Sequence, residues 1–318
     1  MTASPWLIDV CPPHERATAL QAIGAGLPAE MRQGLADAVS GIVRSRDSGK
    51  ASDAIWDGLL VARSRGGDTQ PAGTLLGATW VQTFPGRTAL VWPPAYDCAA
   101  GLALLQAAAQ WARGNQVRVA QWLDEVQNSL QAVMLHQAGF RHLADLVYLA
   151  APAVASSNAH LLQGLDFEAC VDVDEGRLQE AIQATYRETL DCPELDGVRP
   201  LHEVLQGYRA QGHYRPDRWF VLRSGGVDAG VLLLTEYPST GNWELLYVGL
   251  RPEFRGRRWG AVACEFALDC AARGGAERLV VAVDAANSPA ISAYVATGFQ
   301  EWDRRSVYAL LNVDSFST

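Results

Sequence analysis

The chain has 318 residues, which at about 150 residues per domain points to two domains rather than one core. Of these, 49% are apolar and 19% charged, so there is material for buried cores and a disordered chain is excluded. A formal charge of -9 leaves no basic footprint for a nucleic-acid backbone.

Lys50 is the one lysine among 26 basic residues, a bias of genome composition without mechanistic content. The six cysteines (positions 11, 98, 170, 192, 264 and 270) form no C-x-x-C pair. A zinc ribbon or redox motif is therefore unsupported, and reduced thiols in a cytosol are expected.

In chain order, Asp9, Pro12, Pro13 and Glu15 interrupt any apolar signal segment at the N-terminus. Gly73 to Thr83 and Thr88 to Trp92 read as strands, Ala99 to Arg113 as a helix and Val117 to Leu123 as a strand. The least polar stretch, around Ala99 to Ala109, is shorter than the roughly 18 apolar residues of a membrane span. The expectation is a cytoplasmic protein with neither a membrane nor a nucleic-acid partner.

The small, polar run from Ala151 to Asn158 marks a boundary. It divides the chain into a domain over 1–150, a linker over 151–164 and a domain over 165–318. Leu165 to Val173 then reads as a strand, and Leu178, Ile182 and Tyr186 stripe a helix over Glu175 to Thr189. Asp191 to Pro200 is a loop, and Leu201 to Gln211 a short helix. Trp219 to Arg223 and Val227 to Thr235 are strands joined by Gly225-Gly226, and Trp243 to Leu250 is the next strand. A helix follows the Arg255 to Gly260 turn and stops at Gly274-Gly275; Arg278 to Asp284 is an apolar strand. A last helix has Ser288 as N-cap, Pro289 in its first position and Gly298 just past its end.

The halves share end signals. Gln-Ala-Gly139-Phe140 lies over Ala-Thr-Gly298-Phe299, and the same offset puts Asn128 on Asn287, Glu125 on Asp284 and Leu135 on Tyr294.

The chemistry concentrates where the strand ending Val248-Gly249-Leu250 runs into Arg255-Gly256-Arg257-Arg258-Trp259-Gly260-Ala261 and a helix. Free N–H groups and a dipole at such a helix start suit a phosphate or pyrophosphate. A basic connection whose glycines only permit a tight turn is the plainer alternative. The second element is Asp284-Ala-Ala-Asn287-Ser-Pro-Ala290-Ile-Ser-Ala-Tyr294-Val-Ala-Thr-Gly298-Phe299. Arg255, Gly260, Asn287, Ala290, Tyr294, Gly298 and Phe299 together resemble the GNAT superfamily of acetyl-CoA-dependent N-acetyltransferases. The match covers roughly Leu165 to Leu311, with the first half like a degenerate copy, as in tandem-GNAT proteins.

The resemblance implies an α/β fold of two tandem GNAT-like acyl-CoA N-acyltransferase domains, each a mixed central sheet flanked by helices. It implies acetyl-CoA as co-substrate, a primary amine on a small molecule or peptide as acceptor, no metal, and direct attack in a ternary complex. Val248, Gly249 and Leu250 would pair with the pantetheine arm. Arg255, Gly256, Arg257, Arg258, Trp259, Gly260 and Ala261 would hold the pyrophosphate. Tyr294 would protonate the departing thiolate, and Asn287 would bind cofactor, cap its helix, or both. Glu244 is the carboxylate expected to act as base, with Glu236 as the alternative.

Arg258 departs from the pattern, standing where the family usually has a glycine. It either carries a steric cost of about 1 kcal/mol at positive φ or adds a cation beside the pyrophosphate. Leu135 cannot donate a proton, and Pro93 to Gly101 lacks the turn, so the first domain is expected to be inert. A non-catalytic acyl-CoA sensor and a structural duplicated protein are the rival readings. In the Asp191 to Asp196 loop, Asp191, Glu194 and Asp196 either attract a cationic amine or form a plain solvated loop. His202-Glu-Val-Leu-Gln206 lacks the second histidine of a zincin helix, and no G-x-S-x-G elbow is present.

Overall fold

A computed structural model describes residues 4–47, 53–67, 71–95, 98–125, 129–155 and 164–312. Contacts divide the chain into two units, residues 1–142 with 307–318, and residues 143–306.

In the first unit β1 (Trp6–Val10), β2 (Leu59–Ser64), β3 (Leu75–Phe84) and β4 (Thr88–Trp92) pair antiparallel in succession. β5 (Val119–Glu125) then lies parallel to β4 through Thr88↔Val119, Ala89↔Ala120 and Leu90↔Gln121. Two helices not anticipated from the sequence, α1 (Arg16–Ala25) and α2 (Ala29–Asp47), cover one face. Their Ile23, Leu35 and Ile42 pack with Trp56, Trp80 and Trp92. The other face is covered by α3 (Gly101–Gly114) and α4 (Ser129–Gln137), whose Leu104, Leu105 and Leu135 meet Val81, Val91 and Trp122. Each sheet face thus buries apolar side chains of two helices, the arrangement that alternating strand residues demand.

The second unit begins with a strand that the sequence did not announce, β6 (Arg141–Pro152). β6 is antiparallel to β11 (Arg278–Asp284), from Leu146↔Asp284 to Pro152↔Arg278. It therefore occupies the first residues of the expected linker; positions 156–163 of that linker lie outside the described residues. β7 (Asp166–Ala169), shorter than expected, is followed by α5 (Glu175–Tyr186) and α6 (Leu201–Arg209), then β8 (Trp219–Ser224), β9 (Val227–Tyr237) and β10 (Asn242–Leu250). Gly225 and Gly226 both have positive φ (56° and 83°), as a two-residue hairpin loop requires. α7 (Trp259–Arg273), α8 (Ser288–Ala296) and β12 (Gln300–Leu311) complete the chain, Ser306 being the last β12 residue in this unit.

α5 and α6 pack Leu178, Ile182 and Leu205 on one face of the sheet. α7 and α8 bury Val262, Ala263, Ala267 and Tyr294 on the other. The helix-stop expected at Gly274-Gly275 is in place, with Gly275 at φ 80°, and a Cβ on Gly274 would run into the Trp243 ring. Among the described residues no helix is long and apolar enough to cross a membrane.

Candidate active site

β10 and β11 pair in parallel only through Asn242↔Arg278, Trp243↔Leu279 and Glu244↔Val280. Beyond that point their edges part. A bulge at Leu246 breaks the register with β9 between Leu245 and Tyr247 and re-aims the rest of β10. α7 starts at the mouth of the resulting wedge.

The approach to α7 is built by Arg255. Its guanidinium donates to the carbonyls of Leu250 (3.0 Å), Thr185 (3.0 Å), Arg187 (2.8 Å) and Glu188 (3.0 Å), clamping the end of α5 to the end of β10. Those bonds engage every nitrogen of its fork, so Arg255 shapes the turn with its side chain and leaves anion contact to the backbone. Gly256 (φ 76°) and Arg258 (φ 61°, ψ 12°) are both left-handed, and Arg258 is the N-cap of α7. The N–H groups of Trp259 and Gly260 open the helix without an intrahelical acceptor. Arg257 stacks over Phe254 and Trp259 (5.3 and 5.1 Å to the ring centroids) and donates to the Glu253 carbonyl, turned to that aromatic pair.

A cavity of about 970 Å³ lies in front of this turn. It is lined by Val248, Gly249, Leu250, Arg255, Gly256, Arg258, Trp259, Gly260, Ala261, Asn287 and Tyr294. The expected site residues are thus brought together, except Arg257 and Glu244, which are not in its wall. Asn287, rather than Ser288, caps α8: its Oδ1 accepts from the Ala290 N–H at 3.3 Å, and Ser288 is the first helical residue. Asn287 is the non-helical flanking residue (φ -84°, ψ 63°), the backbone position from which a side chain can accept from the first turn, a choice the sequence alone left between two neighbours.

Tyr294 is buried, 4% exposed, and burial holds its phenol well above the usual range, with Cys264, Asp191 and Tyr247 adding to the shift. A proton is thereby kept on its oxygen, which has no hydrogen-bond partner among the described residues. Glu244 sits at the last β10 position paired with β11, where burial raises its carboxyl against the opposing hydrogen bond from Tyr237. Glu236 is tied up elsewhere, accepting from Arg218 Nε at 3.2 Å, with His213 3.7 Å away.

The 191–196 loop is not a uniformly solvated acidic segment. Asp191 Oδ1 accepts from the Asp284 N–H (3.0 Å), and Asp284 Oδ2 accepts from the Cys192 N–H (3.1 Å). Cys192 takes a left-handed conformation (φ 45°) to make the turn. Asp191 reaches the cavity wall beside Tyr247, Thr185 and Cys264. Thr185 and Tyr247 were not anticipated; Thr185 is one residue off the α5 stripe, and only the glycine at 249 hinted that something packs against β10.

The first unit holds the counterpart positions in a closed form. At the offset that takes Gly139 (φ 92°) to Gly298 (φ 93°), Gly101 answers to Gly260 and Met134 to Ala293. A Cβ built on Gly260 would find Ala293 Cβ at 3.6 Å; on Gly101 it would meet Met134 Cε at 3.1 Å. Leu135, in the place of Tyr294, is fully buried. Asn128, the counterpart of Asn287, lies outside the described residues.

Residues 182–299 match the Acetyltransferase (GNAT) family model, so the resemblance carried by the turn and the Asn287 to Phe299 motif is shown for that segment. No curated protein sequence matches the chain. The fold is that of a GCN5-related N-acetyltransferase from Sphaerobacter thermophilus, 16% identical, with a TM-score of 0.63 over 98% of this chain and 97% of that one. A GCN5-related glucosamine N-acetyltransferase region of a fungal multi-domain GH3 beta-N-acetylglucosaminidase is also similar: 14% identity, TM-score 0.59, 98% of this chain and 38% of that one. The chain is therefore an α/β protein with two tandem GNAT-like domains, a fold that supports acyl transfer in general.

Proposed function

We propose that the chain is an acetyl-CoA-dependent N-acetyltransferase that moves an acetyl group to a primary amine by direct attack in a ternary complex, using its C-terminal unit. The observation that carries the reading is one cavity bounded by the left-handed turn at Arg258, the opening of α7 and the neutral phenol of Tyr294. The residues fit acetyl-CoA. Parted strand edges at Val248 to Leu250 offer backbone groups to an extended arm, and the bare Gly260 lets a pyrophosphate approach the N–H groups of the first turn.

Bound acetyl-CoA would supply an activated thioester carbonyl and a thiol leaving group. The protein's part is to hold the arm along β10, to keep the Tyr294 proton in place for sulfur, and to exclude water with the buried Tyr294 and Cys264 and the half-buried Tyr247. Glu244 was the expected base; its hydrogen bond with Tyr237, outside the cavity wall, supports a role in the wedge floor, and the proton acceptor is taken up below. Arg258 adopts the conformation a glycine would take, which counts against a sensor whose turn had lost its shape. Met134 and Leu135 support an inert first domain. Thiols outside any disulfide at Cys11, Cys98, Cys170, Cys192, Cys264 and Cys270 fit a cytoplasmic setting.

The test is calorimetric titration of acetyl-CoA into the wild type and into Gly260→Glu, whose carboxylate would enter the pyrophosphate site. One binding event lost in the variant is expected. No binding to the wild type would sink the reading.

A further inference from the structure

We propose that Asp191 is the carboxylate that receives the acceptor amine: it docks the incoming ammonium in the cavity and takes its proton before attack. The inference rests on the acetyltransferase reading and assigns the base within it. Three observations lead to Asp191 rather than Glu244.

First, Asp191 shares the cavity wall with Tyr294, whereas Glu244 is not in that wall and accepts from Tyr237. Second, the carboxyl is fixed yet half free. Its Oδ1 accepts from the Asp284 N–H at 3.0 Å, its own N–H donates to Thr189 Oγ1 at 3.1 Å, and Oδ2 has no partner among the described residues. Third, Asp284 is satisfied and Asp191 is not. Asp284 accepts from the Ala286 N–H on Oδ1 (2.9 Å) and from the Cys192 N–H on Oδ2 (3.1 Å), so both its oxygens are engaged. The charge on Asp191 is opposed first by burial and then by Asp284, partly offset by the Asp284 N–H, so its carboxyl titrates above the usual range. The groups facing it are Tyr186 from α5, Tyr247 from β10, Tyr294 from α8, Asp284 from β11 and Cys192 from its own loop. Two cations share the wall: Arg255 spends four N–H donors on carbonyls, and Arg258 stands at the N-cap of α7 beside the pyrophosphate turn. An ammonium is the ligand that relieves this arrangement, since it neutralises Asp191 in a wall that also holds the Tyr247 and Tyr294 rings.

The protons balance. Of the three on the ammonium nitrogen, one passes to Asp191 Oδ2 and then to solvent, and one stays on the amide. The third replaces the proton that Tyr294 gives to the departing sulfur. The nitrogen lone pair forms the N–C bond, and the C–S electron pair leaves with sulfur.

The experiment compares wild type, Asp191→Asn, Asp191→Glu and Glu244→Gln by acetyl-CoA titration and by thiol release. The probes are tyramine, spermidine, glucosamine, dilysine and hydroxylamine, each across the pH range. Asn retains the acceptor for the Asp284 N–H, so the loop and acetyl-CoA affinity should be unchanged, while kcat/KM for the best ammonium probe falls ~10²-fold near neutral pH and its acidic limb moves up to the ionisation of the free amine. Asp191→Glu should restore part of the rate. Hydroxylamine, already neutral near pH 7, should be turned over equally by Asp191→Asn and wild type, which a merely structural role would not produce. An acidic limb that stays in place in Asp191→Asn, or moves only in Glu244→Gln, overturns the assignment, as does thiol release from none of the probes by a wild type that binds acetyl-CoA. Absent acetyl-CoA binding would instead remove the acetyltransferase reading itself.

Discussion

The Thr185 hydroxyl and the Tyr247 phenol lie 2.7 Å apart and close over Gly249, where β10 borders the cavity. A Cβ at position 249 would stand 2.6 Å from the phenol oxygen and 2.7 Å from Thr185 Oγ1, too near both. Gly249→Ala should therefore cost about 1–3 kcal/mol, as overpacking does, and should weaken acetyl-CoA binding by moving the strand edge. Urea denaturation with calorimetry checks both. Unchanged values would mean that the pair opens freely, and that Gly249 is not held by contact.

Arg258 caps α7 at φ 61°, a conformation that costs a non-glycine residue about 1–2 kcal/mol. Glycine would remove that cost and restore about 0.5–1 kcal/mol of backbone entropy to the unfolded chain. Arg258→Gly is thus expected to raise stability by up to ~1 kcal/mol. It should also loosen acetyl-CoA, more so at low salt, because a cation leaves the cavity wall. A destabilised variant would show that the Arg258 side chain has a structural contact that outweighs its backbone strain.

The contrast between Met134 and Ala293 can be transferred. Ala293→Met places a flexible side chain where Met134 fills the first unit, next to Gly260. It should abolish acetyl-CoA binding while thermal unfolding stays near that of the wild type, since the added atoms enter open cavity rather than packed core. Retained binding in titration would remove the plug as the reason for the first unit's expected inertness.

What the sequence made legible follows from where the stabilising contacts lie. β11 was read to the residue and the Gly225-Gly226 hairpin to its turn, because alternation and positive-φ glycines are local signals. β6 and β12 were not read, because β6 finds its pairing with β11, far along the chain. In α2, Leu35 and Ile42 gave a stripe that went unassigned among polar residues. The cradle was legible as a motif. Its electrostatics were not: Arg255 reads as a free cation until its four carbonyl acceptors are known, and Asp191 reads as a loop acid until its tie to Asp284 is seen.

Alkaline stability should be limited by the buried phenols. Burial is the first cause raising Tyr148 to about 12, and it also pushes up Tyr208, Tyr237, Tyr247 and Tyr294. In the unfolded chain these groups deprotonate near pH 10, while the folded protein still binds the protons. Stability is therefore whole below that pH and falls as pH rises, by at most about 1.4 kcal/mol per pH unit for each phenol. Urea midpoints measured against pH should drop on the alkaline side, with a shallower slope in Tyr237→Phe. An equal slope would show that the Tyr237 phenol ionises in the folded state.

Tyr294→Phe isolates the proton that sulfur would need. The ring is buried against Phe299, with centroids 5.5 Å apart, and the hydroxyl makes no hydrogen bond among the described residues, so Phe should leave stability and acetyl-CoA affinity nearly intact. The rate should fall ~10²-fold in kcat, the usual contribution of a general acid. Because burial keeps the phenol protonated well past its ordinary range, the wild type should show no loss of kcat from this group at neutral to mildly alkaline pH. The defect in the variant should shrink with an acetyl thioester whose thiol is more acidic, since a better leaving group needs the proton less. Stopped-flow thiol release with two such thioesters measures this. An unchanged kcat, or a defect independent of the leaving group, would take Tyr294 out of the proton transfer and leave it as packing between α8 and the sheet.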